Sequence, residues 1–279
     1  MFHNIGDGMM LKIAVLGPKG TFSELAYEKY FQDKKTESFF YSTIEQTFDA
    51  LETTEYAIVP IENTLDGYIQ QTLDFMLEKN TIITDEIFIP VQFGLIGNIN
   101  SIQDIKKIYV QFVARGQCQK FIKSLGDVKQ ILTDSNMESY HMIPGGAVGD
   151  AAIVPAHMVA NYSGFSIPEV TDSTNNYTRF LVLSKRQKAF EASIFKVSLV
   201  VVPIIDRPGL LYDILGIFKK YNINLTSIMS RPTKTEMGNY NFYIEMKSIA
   251  SERDQMDQAF LEIKKDFFIK ILGVYPSRN

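Results

Sequence analysis

AIVPIENT, residues 57–64, opens apolar and closes on a polar trio. A short apolar run of this kind reads as a buried strand, Tyr56 to Ile61. Glu62, Asn63 and Thr64 then stand at the carboxyl end of a core strand, where open α/β sheets bind their ligands. The phrase AIVP recurs at 152–155, again ahead of a helical stretch, but Ala156 and His157 follow it instead of the polar trio. The repetition predicts two similar lobes, only the first of which carries the polar group.

Working outward, Lys12 to Leu16 is a second short strand, closed by Gly17-Pro18, and Thr21 and Glu24 have the spacing of a capping box before a helix. Leu65 onward reads as a helix through Leu73 and Leu77. Residues 82–97 are extended and β-rich, 105–110 form a strand and 116–125 a helical run, and TRFLVL (178–183) is one more apolar strand. Strand and helix alternate throughout, which predicts an α/β catalytic part over residues 11–185 with its second lobe near 93–165.

The polar stretch SKRQKAFEAS marks a linker at 186–193, and the pattern then changes. Residues 195–205 read as a strand, 208–221 as a helix, 224–229 and 240–247 as strands, 252–264 as a helix and 268–275 as a strand. This βαββαβ order predicts an α+β ferredoxin-like domain over 194–279, with both helices on one sheet face. The other face needs a cover. A second copy of the chain is the expected one, since an uncovered apolar sheet is an association surface.

Composition narrows the function classes. The 279 residues suffice for two domains, with 46% hydrophobic residues and 22% charged. A net charge of −4 with interspersed signs offers no cationic footprint for nucleic acid. No apolar run approaches the ~20 residues of a membrane helix, so no membrane partner is expected. The lone Cys118 cannot form an intrachain bridge, which fits a reducing cytoplasm. His3, His141 and His157 have no metal-ligand spacing, so neither metal nor cofactor is expected. Residues 1–10 read as a flexible leader, with Met9 and Met10 as alternative starts.

Three segments could carry chemistry. Gly20-Thr21-Phe22-Ser23 puts hydroxyls and free amides at a helix start, where a carboxylate can bind, although Thr21 or Ser23 could simply cap the helix. Asn63 or Thr64 could likewise be an N-cap instead of a ligand. Thr178 in Asn176-Tyr177-Thr178-Arg179-Phe180 could present a hydroxyl into a cleft, or be an ordinary β-former.

Taken together, GPKGTFS (17–23), VPIENT (59–64) and NYTRF (176–180) resemble the prephenate dehydratase family. RPGLLYDIL (207–215) and NINLTSIMSRPTKTEMGNYNFYIE (222–245) look like an ACT domain of the phenylalanine-binding kind. The resemblance covers residues 11–276. It implies a two-lobed, periplasmic-binding-protein-like (type II) catalytic domain followed by the ACT domain. It also implies a cofactor-free conversion of prephenate to phenylpyruvate, water and carbon dioxide in phenylalanine biosynthesis. Thr178 would then be the catalytic hydroxyl, with Arg179, Asn63, Glu62 and Gln117 beside it. Gly20, Thr21, Ser23, Thr64, Asn176 and Phe180 would bind substrate.

L-phenylalanine would be the effector, held by Pro208, Gly209, Leu210, Leu211, Asn224, Ser230, Arg231 and Pro232 in a homodimer or homotetramer joined through ACT domains. Deleting 190–279 would leave an active, unregulated enzyme. The chain departs from the family at Val110-Gln111-Phe112-Val113, where Ser-His-Pro-Gln is usual, which removes a polar contact at Val110. It departs again at Met229, where ACT relatives place a glutamate. Other readings on the same fold are arogenate dehydration, decarboxylation without aromatisation, and a non-catalytic acid or amino-acid sensor; the hydroxyl of Thr178 favours catalysis over sensing.

Overall fold

The computed structural model describes residues 10–204, 207–233 and 240–278. Residues 1–9, most of the expected leader at 1–10, and residues 234–239 of the ACT-like stretch lie outside the described residues. Along the chain, β1 (Leu11–Leu16), α1 (Phe22–Phe31), β2 (Thr36–Tyr41), α2 (Ile44–Asp49), β3 (Tyr56–Asn63), β4 (Gly67–Tyr68), α3 (Gln70–Glu78) and β5 (Ile82–Pro90) build a first lobe. The chain crosses to a second lobe through β6 (Phe93–Gly97), β7 (Lys107–Gln111), α4 (Phe112–Gln117), α5 (Gln119–Ser124), β8 (Lys129–Thr133), α6 (Asn136–His141), β9 (Asp150–Pro155), α7 (Ala156–Val159) and β10 (Phe165–Ile167). It returns to the first lobe as β11 (Tyr177–Ser184). The C-terminal part follows as β12 (Ile194–Pro203), α8 (Leu210–Lys220), β13 (Leu225–Pro232), β14 (Tyr240–Ile249), α9 (Arg253–Ile263) and β15 (Phe267–Pro276).

The sheet orders are β2-β1-β3-β11-β5 with β4 on β3, then β10-β6-β9-β7-β8, then β13-β14-β12-β15. The two AIVP phrases are the corresponding strands of the first two sheets. β3 runs parallel to β1 and antiparallel to β11, while β9 runs parallel to β7 and antiparallel to β6. Both are buried on either face, as such continuous apolar runs require.

Three local expectations are corrected. The helix read from Leu65 starts only at Gln70. Asn63 Oδ1 accepts the amides of Leu65 (3.0 Å) and Asp66 (3.1 Å), and Gly67 takes φ +77°, so the chain turns before it coils. The run at 116–125 is two short helices, broken where Cys118 leaves helical geometry. The third correction concerns the free face of the C-terminal sheet. Its other face packs on α8 and α9 through Leu199, Ile214 and Phe260. The face expected to meet a second copy meets the first lobe of the same chain, with Val200, Tyr243, Leu272 and Tyr275 in one buried cluster with Ile61, Leu73, Met76 and Ile83. Lys270 Nζ fastens this contact by donating to the carbonyls of Leu77 and Lys79, both at 2.7 Å. Among the described residues no helix is long and apolar enough to cross a membrane.

Candidate active site

A cavity of about 340 Å³ opens between the two lobes, at the carboxyl end of β3 and the start of β11. Of the residues singled out from sequence, it brings together Asn63, Gln117 and Thr178. Register explains the first pair: Thr178 on β11 lies opposite Asn63 on β3. Asn63 Nδ2 donates to Thr178 Oγ1 at 3.0 Å and to the Tyr177 carbonyl at 3.3 Å. Its Oδ1 is spent on the 65–66 turn, so Asn63 orients its neighbours and has no free donor for a ligand. Thr178 Oγ1, once it accepts this bond, keeps its own hydrogen to give to a group in the cavity.

Gln117 arrives from the second lobe. Its Oε1 accepts from Asn176 Nδ2 at 2.8 Å, and its Nε2 lies 3.5 Å from Asp66 Oδ2. Asn176, fully buried, therefore supports Gln117 and does not line the cavity. Thr64 is likewise structural, exchanging hydrogen bonds with the Tyr177 carbonyl (3.1 Å) and amide (3.2 Å).

Glu62, Arg179 and Phe180 do not join the cleft; strand alternation turns Glu62 and Arg179 to the face opposite Asn63 and Thr178, and Phe180, on the Thr178 face, lies deeper in the strand. Phe180 turns into the core between β11 and α1. Arg179 faces the C-terminal sheet. There its Nη2 is 2.8 Å from Glu245 Oε2 and 3.3 Å from Glu62 Oε2, and its Nη1 is 3.4 Å from Glu86 Oε2. Lys196 Nζ completes the cluster at 2.9 Å from Glu86. Burial is the largest single influence and opposes the Arg179 charge, but Glu245, Tyr243 and Tyr275 together outweigh it and the pKa is raised well above the ordinary value. Burial also works against the charge on Glu245, and Arg179 with hydrogen bonds from Tyr243 and Ser198 still lowers its pKa.

At the 17–23 loop, Thr21 Oγ1 donates to the Pro18 carbonyl at 2.9 Å and does not cap α1. Gly20 has φ +85°, and a Cβ there would lie 2.1 Å from Met137 Sδ of the second lobe. It permits close approach of the lobes. Beside it, His157 Nε2 is 3.1 Å from the Gly20 carbonyl, and burial lowers the pKa of that imidazole. Ser23 is buried and does not line the cavity, whereas Phe22 does.

Sequence reasoning missed Phe22, Asp66, Tyr68, Phe93, Gln111 and Asn136 in the cavity wall. At the 110–113 departure, Val110 sits fully buried in the second-lobe core. Gln111 reaches the cleft, its Oε1 accepting the amides of Val113 (2.7 Å) and Ala114 (3.2 Å). Its place at the end of a strand and start of a helix was the available signal. Asn136 opens α6 at the cleft wall, and its Oδ1 is buried with no hydrogen-bond partner. Asp66 is the one charged residue among those lining the cavity. α1 and α3 both begin there, at Phe22 and just after Ile69, with no side chain capping their first amides. Free amides at the positive end of a helix suit a carboxylate. Among the described residues, no group of three or more His, Cys, Asp or Glu side chains is placed to hold a metal ion.

The expected effector residues divide. Gly209 has φ +81° ahead of α8, and a Cβ added there would meet open space; Pro208, Leu211, Asn224, Ser230 and Pro232 are exposed, while Leu210 is buried. Arg231 turns inward on alternating β13 and is closed by Asp74 of α3, Nη2 lying 2.8 Å from both carboxylate oxygens. Met229 packs on the first-lobe cluster.

This arrangement defines a two-lobed, type II periplasmic-binding-protein-like domain with a cleft between the lobes, and a ferredoxin-like domain docked beneath the first. The profile of the prephenate dehydratase family matches residues 13–188 and that of the ACT domain residues 199–254, so the chain belongs to the prephenate dehydratase family, a family of lyases, and carries an ACT domain. It is 34% identical over 278 residues to the bifunctional chorismate mutase/prephenate dehydratase of Aquifex aeolicus (strain VF5), covering 95% of this chain and 74% of that protein. Its structure is similar to that of the prephenate dehydratase from Staphylococcus aureus subsp. aureus Mu50, with a TM-score of 0.81, 30% identity, and 95% of this chain and 100% of that one covered. It is also similar to the prephenate dehydratase of Arthrobacter aurescens in complex with L-Phe, with a TM-score of 0.83, 25% identity and coverage of 96% and 90%.

Proposed function

We propose that residues 11–185 catalyse the decarboxylative dehydration of prephenate to phenylpyruvate, and that the ACT part at 194–279, joined through 186–193, makes the reaction responsive to L-phenylalanine. The observation that carries the catalytic reading is the Asn63–Thr178 pair, which aims a neutral hydroxyl into the cavity. In the reaction the ring-to-carboxylate bond breaks, its electron pair enters the ring and the ring hydroxyl leaves. With one proton taken up, the products are carbon dioxide, water and an aromatic ring. Thr178 donates a hydrogen bond to the departing oxygen, where charge builds in the transition state. The uncapped starts of α1 and α3 and the Gln117 amide receive the carboxylates, and Phe22 and Phe93 supply an apolar wall that excludes water. Purified protein mixed with prephenate should yield phenylpyruvate, and absence of that product overturns this reading.

Asp66 favours a second substrate. A carboxylate in the lining opposes a dianion but would pair with the ammonium of arogenate, the aminated analogue. Comparison of kcat/KM for the two compounds decides, and Asp66→Asn should weaken arogenate use selectively. For the effector, exposed Gly209 before α8, together with exposed Asn224 and Ser230 at β13, an edge strand, support a phenylalanine site where two copies meet in a homodimer or homotetramer. Loss of inhibition in Gly209→Val with turnover retained would support this site, and unaltered inhibition would sink it.

A further inference from the structure

Residues 64–69 fold back along the cleft as a flap, of which Asp66, Gly67, Tyr68 and Ile69 border the cavity. Its ends are tied by Thr64 N to the Tyr177 carbonyl and Ile69 N to the Ile61 carbonyl. Its only strand, β4, is two residues long and pairs with β3 alone. The Tyr68 hydroxyl leaves the cleft and donates to Ser227 Oγ of the C-terminal sheet at 2.7 Å, with Glu245 Oε2 at 3.4 Å and Arg179 Nη2 donating to it at 3.5 Å. The ring meets Tyr243 edge-on at 6.0 Å. Burial first, and then Glu245, push the phenol's pKa up, so it stays a protonated donor over a wider pH range than a free tyrosine.

We propose that Tyr68 is a positioning residue that pins this cleft-lining flap to the C-terminal sheet through Ser227, so that the seat of that sheet sets the geometry of Asn63 and Thr178. The link is continuous. Asn63 Oδ1 holds the amides of Leu65 and Asp66 within the flap, and the same side chain's Nδ2 holds Thr178 Oγ1. A flap that drifts therefore turns the amide that orients the hydroxyl. The C-terminal domain acts on the cleft mechanically, without contributing an atom to it.

The test uses the full chain with Tyr68→Phe, which keeps the ring, Ser227→Ala, which lies outside the cleft, the double variant, and Ser227→Thr, which keeps a hydroxyl. Loss of one buried hydrogen bond in a coupled group predicts kcat/KM lower by roughly tenfold in Tyr68→Phe and roughly threefold in Ser227→Ala. The double variant should be no worse than Tyr68→Phe, and Ser227→Thr should match the parent. Rates rest on the dehydratase reading. Amide hydrogen exchange over residues 62–69 does not, and should quicken in Tyr68→Phe and Ser227→Ala while the unfolding temperature holds. An active parent with losses that multiply in the double variant, or exchange over 62–69 unchanged in both single variants, overturns the proposal. An inactive parent with quickened exchange overturns the substrate reading and leaves the pin standing.

Discussion

The two faces of β11 at residues 178 and 179 do different work one peptide apart. On the cleft face Thr178 pairs with an uncharged amide and keeps a hydrogen for the ligand. On the opposite face Arg179 is closed by Glu245, Glu62 and Glu86, with Lys196 balancing Glu86. Alternation of side chains along a strand is what separates them. The neutral face suits chemistry on a dianion, where a fixed hydroxyl costs little to hold. The charged face suits docking, because a buried charge tolerates no vacancy: removing one partner strands the others. One strand thus serves as the floor of a cleft and as the socket for a second domain.

The largest test of that division is removal of residues 190–279. Sequence organisation alone suggests an active, unregulated remainder. The shared core argues otherwise, since the cut uncovers Ile61, Leu73 and Ile83 and leaves Arg179 without Glu245. The truncated chain should lose well over ~5 kcal/mol of stability, combining lost apolar burial with an unpaired buried charge. Thermal unfolding and solubility measure this. A truncated protein as stable as the parent would show that the two faces are not coupled as described.

Arg179→Ala should come next, costing about 3–5 kcal/mol by leaving Glu245 and Glu86 buried without their guanidinium partner. A fall in the urea midpoint is the expected result. Thr178→Ala should show the opposite profile. It removes one donor to developing charge, worth roughly a hundredfold to a thousandfold in kcat, and about 1 kcal/mol of stability at most, because Asn63 Nδ2 keeps the Tyr177 carbonyl. If both variants lost activity and stability in the same proportion, the separation of faces would fail.

Acid should weaken the socket. Glu245 has its folded pKa lowered from 4.5, so it binds its proton less readily folded than unfolded. Its contribution to stability is full above that unfolded value and is lost as pH falls below about 4.5 toward the folded pKa. The urea midpoint of the parent should decline over that range. In Glu245→Gln the same decline should be shallower from a lower starting stability.

Much of this was legible in the residues. The AIVP repeat marked the two lobes, and the polar end of the first copy put Asn63 at the carboxyl end of a core strand, while Gln117 was reached only through the family resemblance. What sequence left hidden depends on pairing across distance. Nothing local to Arg179 says that Glu245 will close it, since the two are brought together by docking of whole sheets. Apolar spacing alone continues a helix through Tyr68, whereas the Asx turn at Asn63 and the positive φ of Gly67 interrupt it. The apolar face of the C-terminal sheet was recognised as needing a cover, but burial pattern cannot name the occupant. Asn136 and Gln111 reach the cleft only because two helices of the second lobe start at its wall.

The smallest expected effect concerns divalent ions. Magnesium or calcium needs several hard oxygen ligands converging on one point, and zinc needs three or four nitrogen, sulfur or oxygen donors. The cavity wall supplies one carboxylate, Asp66, and neither His nor Cys. Its remaining polar groups are amides, hydroxyls and helix N-termini: the donors attract anions and repel a cation, and the unpartnered Asn136 Oδ1 adds a single hard oxygen, too few with Asp66 to hold an ion. The neutral face of β11 should therefore work unaided, and excess chelator should change kcat/KM for prephenate by less than about twofold, a change of under ~0.4 kcal/mol in the barrier. An activity abolished by chelator and restored by magnesium would mean that substrate carboxylates and Asp66 share an ion, and the cleft would then be charged in action in the way its lower face is at rest.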